Sequence, residues 1–256
     1  MKLGFLGTGN ITSDVVTGIC RSNLKFNQII VSPRNKNKAQ KLKKKFNKIS
    51  IAKSNQELIN KSDWVFIGVL PRVANQILPN LIFKKNQTVI SFVATLNSSK
   101  LKKKINCKVN LVRAIPMPPI SLGLGPVVMY PPNTKVKNFF NKLGTSIEIK
   151  NEKLSNNFWA ISGTMAAFYE ILKILSDWLV KKKIKREKSQ EYITSLYFAL
   201  AGLALENSKK NLKKFVADSQ TPGGLNWQGV NQLRKAGYYK VLQNSLNSLL
   251  KRLNSS

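Results

Sequence analysis

The sequence predicts an α/β fold with a doubly wound sheet in its first half, followed by an all-α second half. Over residues 1–151, short apolar runs typical of strands alternate with stretches of helical spacing. From residue 152 to 256 the strand signal disappears, and apolar residues recur at helical intervals. With 256 residues, of which 43% are hydrophobic, the chain can bury a sizeable core. We therefore expect two domains, 1–151 and 152–256.

The first predicted element is a buried strand that ends in a glycine-rich turn. Lys2–Leu6 is a short apolar run, and the pattern G-x-G-x-x-T follows it, with Thr12 in the third position where glycine or alanine is usual. In a Rossmann-type unit the first glycine permits the tight turn, and the second lets the backbone approach a pyrophosphate at a helix N-terminus. A helix from residue 10 and a second strand, "QIIVS", complete the unit, although a plain strand–turn–helix corner also fits this pattern. The predicted cofactor-binding residues of the turn are Gly7, Thr8, Gly9, Asn10 and Ile11.

The end of the second strand indicates which dinucleotide is bound. A site for NAD places Asp or Glu there to bind the ribose 2′-hydroxyl, but no acidic residue occurs between Asp14 and Glu57. Ser32, Arg34 and Asn35 stand there instead, and a guanidinium can bind a 2′-phosphate through two parallel hydrogen bonds. We predict that these three residues bind the adenosine phosphate of NADPH, which is preferred over NADH.

The alternation of strands and helices continues to about residue 115. The stretch "FNKISIAKSNQELINKSDWVFIGVLP" predicts a strand, a helix and a buried strand, "WVFIGV", which Pro71 ends. The segments "QTVISFVAT" and "NLVRAIPMPP" predict two further strands. Strands that alternate with helices form a parallel sheet, and a nucleotide lies across the carboxyl ends of such strands.

The second half is predicted to consist of long helices that pair with a second chain. Helical spacing runs through residues 153–183 and 186–215, and a final helix is predicted over 226–253. The segment from Leu196 to Leu205 is apolar nearly all round, so it must be buried against a partner or deep in a bundle. We expect a homodimer that buries Phe168, Leu172, Leu196 and Leu200, the alternative being a self-contained monomeric bundle.

Charge and composition exclude several classes of function. The chain has 43 basic and 11 acidic residues, a net charge of +32, which attracts polyanions. The lysines are scattered and no nucleic-acid-binding motif accompanies them, so we expect no specific nucleic-acid partner. The absence of histidine excludes a histidine triad and any histidine-based metal site, and the two cysteines do not form a metal motif. We expect no membrane partner and a cytoplasmic location, because no apolar run approaches the roughly 20 residues of a membrane span.

The stretch "QTPGGLNWQG" at positions 220–229 predicts an anion-binding loop in the helical half. Gly223 and Gly224 expose backbone N–H groups at the start of a helix, where a carboxylate binds well. Thr221 can add a hydroxyl, and Pro222 stiffens the turn. A tight turn without a ligand is the other interpretation of these residues.

Taken together, these motifs resemble the pyrroline-5-carboxylate reductases, which use NADPH or NADH to reduce 1-pyrroline-5-carboxylate to proline. The resemblance runs from "GFLGTGNIT" through "VSPRNKNKA", "IGVLP", "ISFVAT" and "SGTMAAFYE" to "TPGG". It implies a dimerising helical domain and active sites that combine "TPGG" of one chain with the cofactor of the other. It also implies further cofactor-binding residues, namely Asn55, Val69, Leu70, Pro71, Val93 and Ala94.

The departures from the family pattern fall mostly where the substrate is held. The resemblance implies that Thr221, Gly223, Gly224, Leu225, Asn226 and Met117 bind a small anionic imine. The family usually has a pair ending in threonine at the positions of Leu225 and Asn226, and asparagine at that of Met117. Asn226 replaces a threonine placed near the imine nitrogen, so it is the predicted catalytic residue, as a hydrogen-bond donor rather than an acid.

Three functions remain compatible with these departures. The first is reduction of 1-pyrroline-5-carboxylate to L-proline in proline biosynthesis. The second is NADPH-dependent reduction of a different imine or carbonyl on the same fold. The third is a non-catalytic relative that only binds the nucleotide.

Overall fold

An eight-stranded sheet organises the first half of the protein. The computed structural model describes residues 1–255, which form two compact units that meet between Ser155 and Asn156 in the sequence. In the first unit the strand order is β3-β2-β1-β4-β5-β6-β7-β8. The strands are β1 (Lys2–Leu6), β2 (Gln28–Val31), β3 (Ile49–Ile51), β4 (Trp64–Ile67), β5 (Thr88–Ser91), β6 (Asn110–Ile115), β7 (Pro126–Tyr130) and β8 (Thr145–Glu148).

The predicted α/β fold is confirmed, and the sheet differs from the prediction at one edge. Neighbouring strands from β3 to β6 are parallel, as expected, but β7 runs antiparallel to β6, and β8 runs parallel to β7. The sequence analysis assigned neither β7 nor β8. Only a short 3₁₀ helix, Pro118–Leu122, and a glycine-containing turn separate β6 from β7. Without a longer crossover helix, the chain returns antiparallel.

Helices cover both faces of this sheet and enclose two clusters of apolar side chains. Along β1, Phe5 belongs to one cluster and Leu6 to the other, as the alternation of side chains in a strand requires. The first cluster includes a stack of Phe5 on Phe66, with ring centroids 4.4 Å apart. The helices of this unit are α1 (Asn10–Arg21), α2 (Lys36–Lys45), α3 (Asn55–Lys61), α4 (Pro71–Ile77), α5 (Ser98–Lys104) and α6 (Thr134–Phe140).

A glycine brings α1 against the 3₁₀ helix that follows β6. A Cβ built on Gly18 would lie 2.3 Å from the backbone oxygen of Ile120, so any side chain there would collide with backbone. Both residues are buried. The backbone of the helix that opens at the glycine-rich turn is therefore in direct contact with the segment that begins at Met117.

The second unit is helical, and each of the three predicted helices is interrupted once. A hairpin of α8 (Met165–Lys181) and α9 (Arg186–Glu206) is closed by an ion pair between Asp177 and Arg186, 2.8 Å apart. The predicted single final helix is instead two helices, because Gly237 adopts φ +75° and interrupts the helical backbone. The remaining helices are α7 (Ser155–Ser162), α10 (Leu212–Asp218), α11 (Leu225–Lys235) and α12 (Tyr238–Asn254).

Large apolar side chains of α8 and α9 remain exposed in the single chain. Phe168 is 44% exposed, Leu196 40% and Leu200 55%, whereas Leu172 is half-buried. A monomeric bundle would bury such residues, since soluble monomers rarely expose apolar patches of this kind. The exposure supports a homodimer.

The helical stretch Glu152–Lys181 is long and apolar enough, by length and composition, to cross a membrane. The sequence analysis expected no such stretch. Only 6% of its most apolar window is buried in the single chain. An apolar helix that packs against another chain can have the same length and composition, and this stretch contains α8.

Candidate functional site

A cavity of about 990 Å³ lies at the carboxyl ends of β1, β4 and β5, beside the loop that follows β2. Its volume suits a ligand of cofactor size, and its place in a doubly wound sheet is where nucleotides bind. The structure brings most of the predicted cofactor-binding residues to its wall. These are Gly7, Thr8, Gly9, Asn10, Ile11, Arg34, Asn35, Val69, Leu70, Pro71, Val93 and Ala94.

The turn between β1 and α1 can exist only with glycine at its first position. Gly7 has φ +93°, and a Cβ added there would lie 2.5 Å from the carbonyl oxygen of Gly68. The turn is braced from below, where the Gly7 N–H donates to Ser32 Oγ over 3.0 Å. The buried hydroxyl of Thr8 donates to the Ser32 carbonyl oxygen over 3.1 Å. These two hydrogen bonds anchor the turn to Ser32, the residue that follows β2.

The N-terminus of α1 presents backbone donors that no side chain occupies. Its N-cap residue, Gly9, has no side chain that could accept a hydrogen bond from these N–H groups. The first turn contains no acidic residue. The N–H groups there and the helix dipole together favour an anion. Lys38 donates from α2 to the Asn10 side chain, which adds positive charge at the cavity rim. Burial raises the pKa of Asp14, one turn further along α1, and nearby Lys38 partly offsets this effect.

The loop after β2 gives the cavity a cationic end. Arg34 is exposed and makes no ion pair with any of residues 1–255. Asn35 caps α2 by accepting from the Lys38 N–H over 3.2 Å, so its side-chain NH₂ stays available as a donor. Lys36 and Asn37 line the same end. A guanidinium without a carboxylate partner fits a phosphate group at this position.

Two predicted cofactor residues do not line the cavity. Ser32 is 1% exposed, because its hydroxyl accepts from Gly7 and lies against the Thr8 hydroxyl beneath the turn. It therefore supports the turn instead of facing a ligand. Asn55 begins α3, after the N-cap residue Ser54, and lies outside the set of residues that line the cavity.

The ends of β4 and β5 form the opposite wall, which is mainly apolar. Leu70, where the family has lysine, is 73% exposed and is the N-cap residue of α4. Several lining residues are additional to the predicted binding set, although all follow strand ends or neighbour predicted residues. They are Lys36, Asn37, Gly68, Val73, Phe92 and Thr95.

An ion pair between buried Arg113 and half-buried Glu152 lies behind this wall. Arg113, on β6, is 3% exposed, and its Nη2 donates to the Ala94 carbonyl oxygen over 2.6 Å. Its Nη1 donates to Glu152 Oε1. The same carboxylate oxygen accepts from the backbone N–H of Ser98 over 2.8 Å and from the Ser98 hydroxyl over 2.9 Å. The segment between β5 and α5 is thereby tied to β6.

In the second unit the "TPGG" loop forms the tight turn that the sequence predicted. Gly223 has φ +75°, and the Gly224 N–H donates to the Thr221 carbonyl oxygen over 2.8 Å. Gly224 is the N-cap residue of α11 and makes no side-chain hydrogen bond, so the first-turn N–H groups lack a side-chain acceptor. Leu225 and Asn226 are the first two residues of that helix, and the Leu225 side chain is 87% exposed.

The predicted substrate residues are divided between the two units. Met117 lies in the first unit, where it precedes the 3₁₀ helix after β6, and it does not line the 990 Å³ cavity. Thr221, Gly223, Gly224, Leu225 and Asn226 all lie in the second unit.

Comparison with known proteins gives matches to both halves of the chain. A family model described as NADP oxidoreductase, coenzyme F420-dependent, matches residues 2–95. A second, described as pyrroline-5-carboxylate reductase dimerisation, matches residues 152–255. The second match covers all the helices of the second unit.

Individual relatives match over nearly the whole chain. Pyrroline-5-carboxylate reductase 3 of Danio rerio is 25% identical over 249 residues, covering 93% of this chain and 85% of its own length. The pyrroline-5-carboxylate reductase of Staphylococcus aureus strain COL is 25% identical over 267 residues, covering 98% of this chain and 96% of its own. The crystal structure of Plasmodium falciparum pyrroline carboxylate reductase with NADP bound has a TM-score of 0.81 at 24% identity, covering 100% of this chain and 97% of that one. This last likeness shows that the fold is shared.

Proposed function

We propose that this divergent member of the pyrroline-5-carboxylate reductase family reduces 1-pyrroline-5-carboxylate to L-proline with NADPH. Its family makes it an oxidoreductase that acts on a C=N bond and uses NAD(P)H. One observation carries the proposal. The cavity at the strand ends joins the first-turn N–H groups of α1 to an arginine that forms no ion pair within residues 1–255, in a chain whose other half matches the dimerisation domain of this family.

The residues present fit a phosphorylated dinucleotide. The first-turn N–H groups of α1 would hold the pyrophosphate, since the turn allows close approach and carries no competing carboxylate. Arg34 and Asn35 would hold the 2′-phosphate, which supports NADPH in preference to NADH. When bound, NADPH supplies the hydride that the imine carbon accepts. Val93 and Ala94, at the end of β5, would hold the nicotinamide half.

The loop at the start of α11 would bind the substrate carboxylate. Its first-turn N–H groups lack side-chain acceptors, and the helix has no acidic residue in its first turn. Asn226 would donate its amide near the imine nitrogen and so orient the ring. It has no proton to release at neutral pH, so the proton on that nitrogen would come from solvent. Orientation by fixed backbone donors then provides most of the protein's share of catalysis.

A second candidate is the reduction of a different cyclic imine. Leu225 adds a large apolar side chain at the loop where the family has threonine or alanine, and it is 87% exposed. Met117 likewise replaces a polar family residue. A substrate with a larger ring or an apolar substituent would gain more from these two side chains than pyrroline carboxylate does.

The deciding experiment measures NADPH oxidation across a panel of imines. The panel holds 1-pyrroline-5-carboxylate, its six-membered homologue and cyclic imines without a carboxylate. We expect turnover of the pyrroline, and faster turnover of the homologue would select the second candidate. Thermal unfolding with and without NADPH serves as the control, since a ligand that binds the native state raises the midpoint. If NADPH leaves the midpoint unchanged and no imine is reduced, the chain is not a reductase of this kind.

A further inference from the structure

The ion pair of buried Arg113 and half-buried Glu152 lies outside the set of residues expected to touch a ligand, yet one of the Arg113 hydrogen bonds ends on the cavity wall. Arg113 Nη2 donates to the carbonyl oxygen of Ala94, and Ala94 lines the cavity. We propose, on the basis of the reductase function above, that Arg113 is a positioning residue for the nicotinamide half of the cofactor. It acts through the backbone of the segment between β5 and α5.

The geometry of one peptide unit links Arg113 to the cavity. In a trans peptide the C=O and the N–H point in opposite directions. Holding the Ala94 oxygen against Arg113 therefore turns the N–H of Thr95 away from the arginine. Thr95 also lines the cavity, and its N–H donates to no group within residues 1–255. The guanidinium thus fixes the direction of a free amide donor at the cavity wall.

The position of this wall in the sheet indicates which half of a dinucleotide it would contact. In a doubly wound sheet the two halves of the ligand lie on opposite sides of the point where strand order reverses. Arg34, after β2, marks the adenosine side, so the ends of β4 and β5 face the other half. A backbone N–H there suits the carboxamide oxygen of nicotinamide.

The hydrogen bonds of this ion pair suit it to a positioning role. Arg113 is 3% exposed and Glu152 Oε1 accepts three hydrogen bonds, one from the arginine and two from Ser98. The Arg113 charge is buried and would be costly without its partner, whereas the Glu152 side chain is 21% exposed, so the carboxylate keeps the guanidinium in place. The planar guanidinium can serve Ala94 and Glu152 at once through separate nitrogens, whereas a lysine ammonium is a single point donor. Ser98 begins α5, so the same carboxylate also fixes the far end of the segment.

The test compares two ligands that share only the adenosine half. NADPH spans the whole cavity, whereas 2′,5′-ADP lacks the nicotinamide. For Arg113→Lys and Glu152→Gln we expect the Kd of NADPH to rise roughly tenfold, the effect of one misplaced hydrogen bond, with the Kd of 2′,5′-ADP within about twofold of native. Lys100→Met, on the exposed face of α5, is the matched control and should change neither value.

A milder variant can still test the positioning role if Arg113→Lys and Glu152→Gln fold poorly. Ser98→Ala removes only the hydroxyl bond to Glu152, so a smaller rise in the NADPH Kd is expected in the same direction. Parallel weakening of both ligands, or no change in either, would overturn the positioning role. If the native chain binds neither ligand, the reductase function itself fails, and this proposal falls with it. If the native chain binds both and the ratio of the two Kd values stays constant in every variant, only the positioning role fails.

Discussion

At the scale of single residues, Arg34 is expected to decide between the two nicotinamide cofactors. It lines the cavity and has no acidic partner among the described residues, so its charge is free for a 2′-phosphate. Arg34→Ala should raise the KM for NADPH by roughly tenfold or more, the effect of losing a hydrogen bond to a charged group, and leave the KM for NADH nearly unchanged. Steady-state kinetics with both cofactors measure this. Lys41→Ala, on the exposed part of α2, is the control, and equal effects on both cofactors would contradict the assignment.

The residues that begin α11 test whether the substrate loop has been adapted to a new ligand. Leu225→Thr and Asn226→Thr together restore the hydroxyls usual in the family. If the native substrate is 1-pyrroline-5-carboxylate, kcat/KM for it should rise by at least about tenfold, because one hydrogen bond to a charged group is regained. The same panel of imines gives the measurement. A double variant that gains nothing, in a protein that reduces another imine faster, would show that the loop serves that other substrate.

At the scale of elements, the contact between α1 and the following 3₁₀ helix depends on the absence of a side chain. Alanine usually stabilises a helix interior by about 0.5–1 kcal/mol relative to glycine. Gly18→Ala should nevertheless destabilise the protein by about 1–3 kcal/mol, since its Cβ would collide with the Ile120 oxygen. Gly229→Ala, within α11 and with no atom within 4 Å of its Cβ, should show the usual gain. Denaturant unfolding measures the change in the free energy of unfolding for both variants. A change of the same sign at both positions would contradict the proposed collision.

The hairpin of α8 and α9 is expected to lose part of its stability in acid. The hydrogen bond from Arg186 holds the pKa of Asp177 below its usual value of 3.8, and nearby cations add to this effect. A lowered folded pKa means that the contribution is complete above about pH 3.8 and is lost as the pH falls through the folded value. Asp177→Asn should therefore lower the Tm slightly at neutral pH and make no difference in stronger acid. Asp218→Asn, at a carboxylate without an ion pair among the described residues, is the matched control.

Local signals explain how much of these elements the sequence could predict. The β1 strand, its glycine turn and the start of α1 are contiguous, so one short stretch contained the whole pattern. The short strands β7 and β8 were missed, because they are only five and four residues long and glycine or proline lies next to each of them. The Arg113–Glu152 pair joins positions 39 apart, and nothing in either local sequence indicates the other. Ser32 looked like a ligand contact because sequence gives its position but not which way its hydroxyl turns.

At the scale of the whole molecule, the exposed apolar side chains of α8 and α9 predict an obligatory pair. Leu200→Glu places a charge in the surface that a second copy would cover, where an unpaired charge is costly. We expect this variant to be monomeric by light scattering at concentrations where the native protein is dimeric. Ile82→Glu, at an apolar residue of the first unit that is 77% exposed, is the control and should stay dimeric. A native protein that is monomeric at micromolar concentration would contradict the pairing.

The uncovered face of α8 and α9 also links the protein's lifetime to its abundance. If burial of that face requires a second copy, the apparent stability of each chain rises with the logarithm of chain concentration. A newly made chain that has not met its partner exposes aromatic and aliphatic side chains of the kind that chaperones and proteases bind. Scarce copies are then degraded faster than plentiful ones.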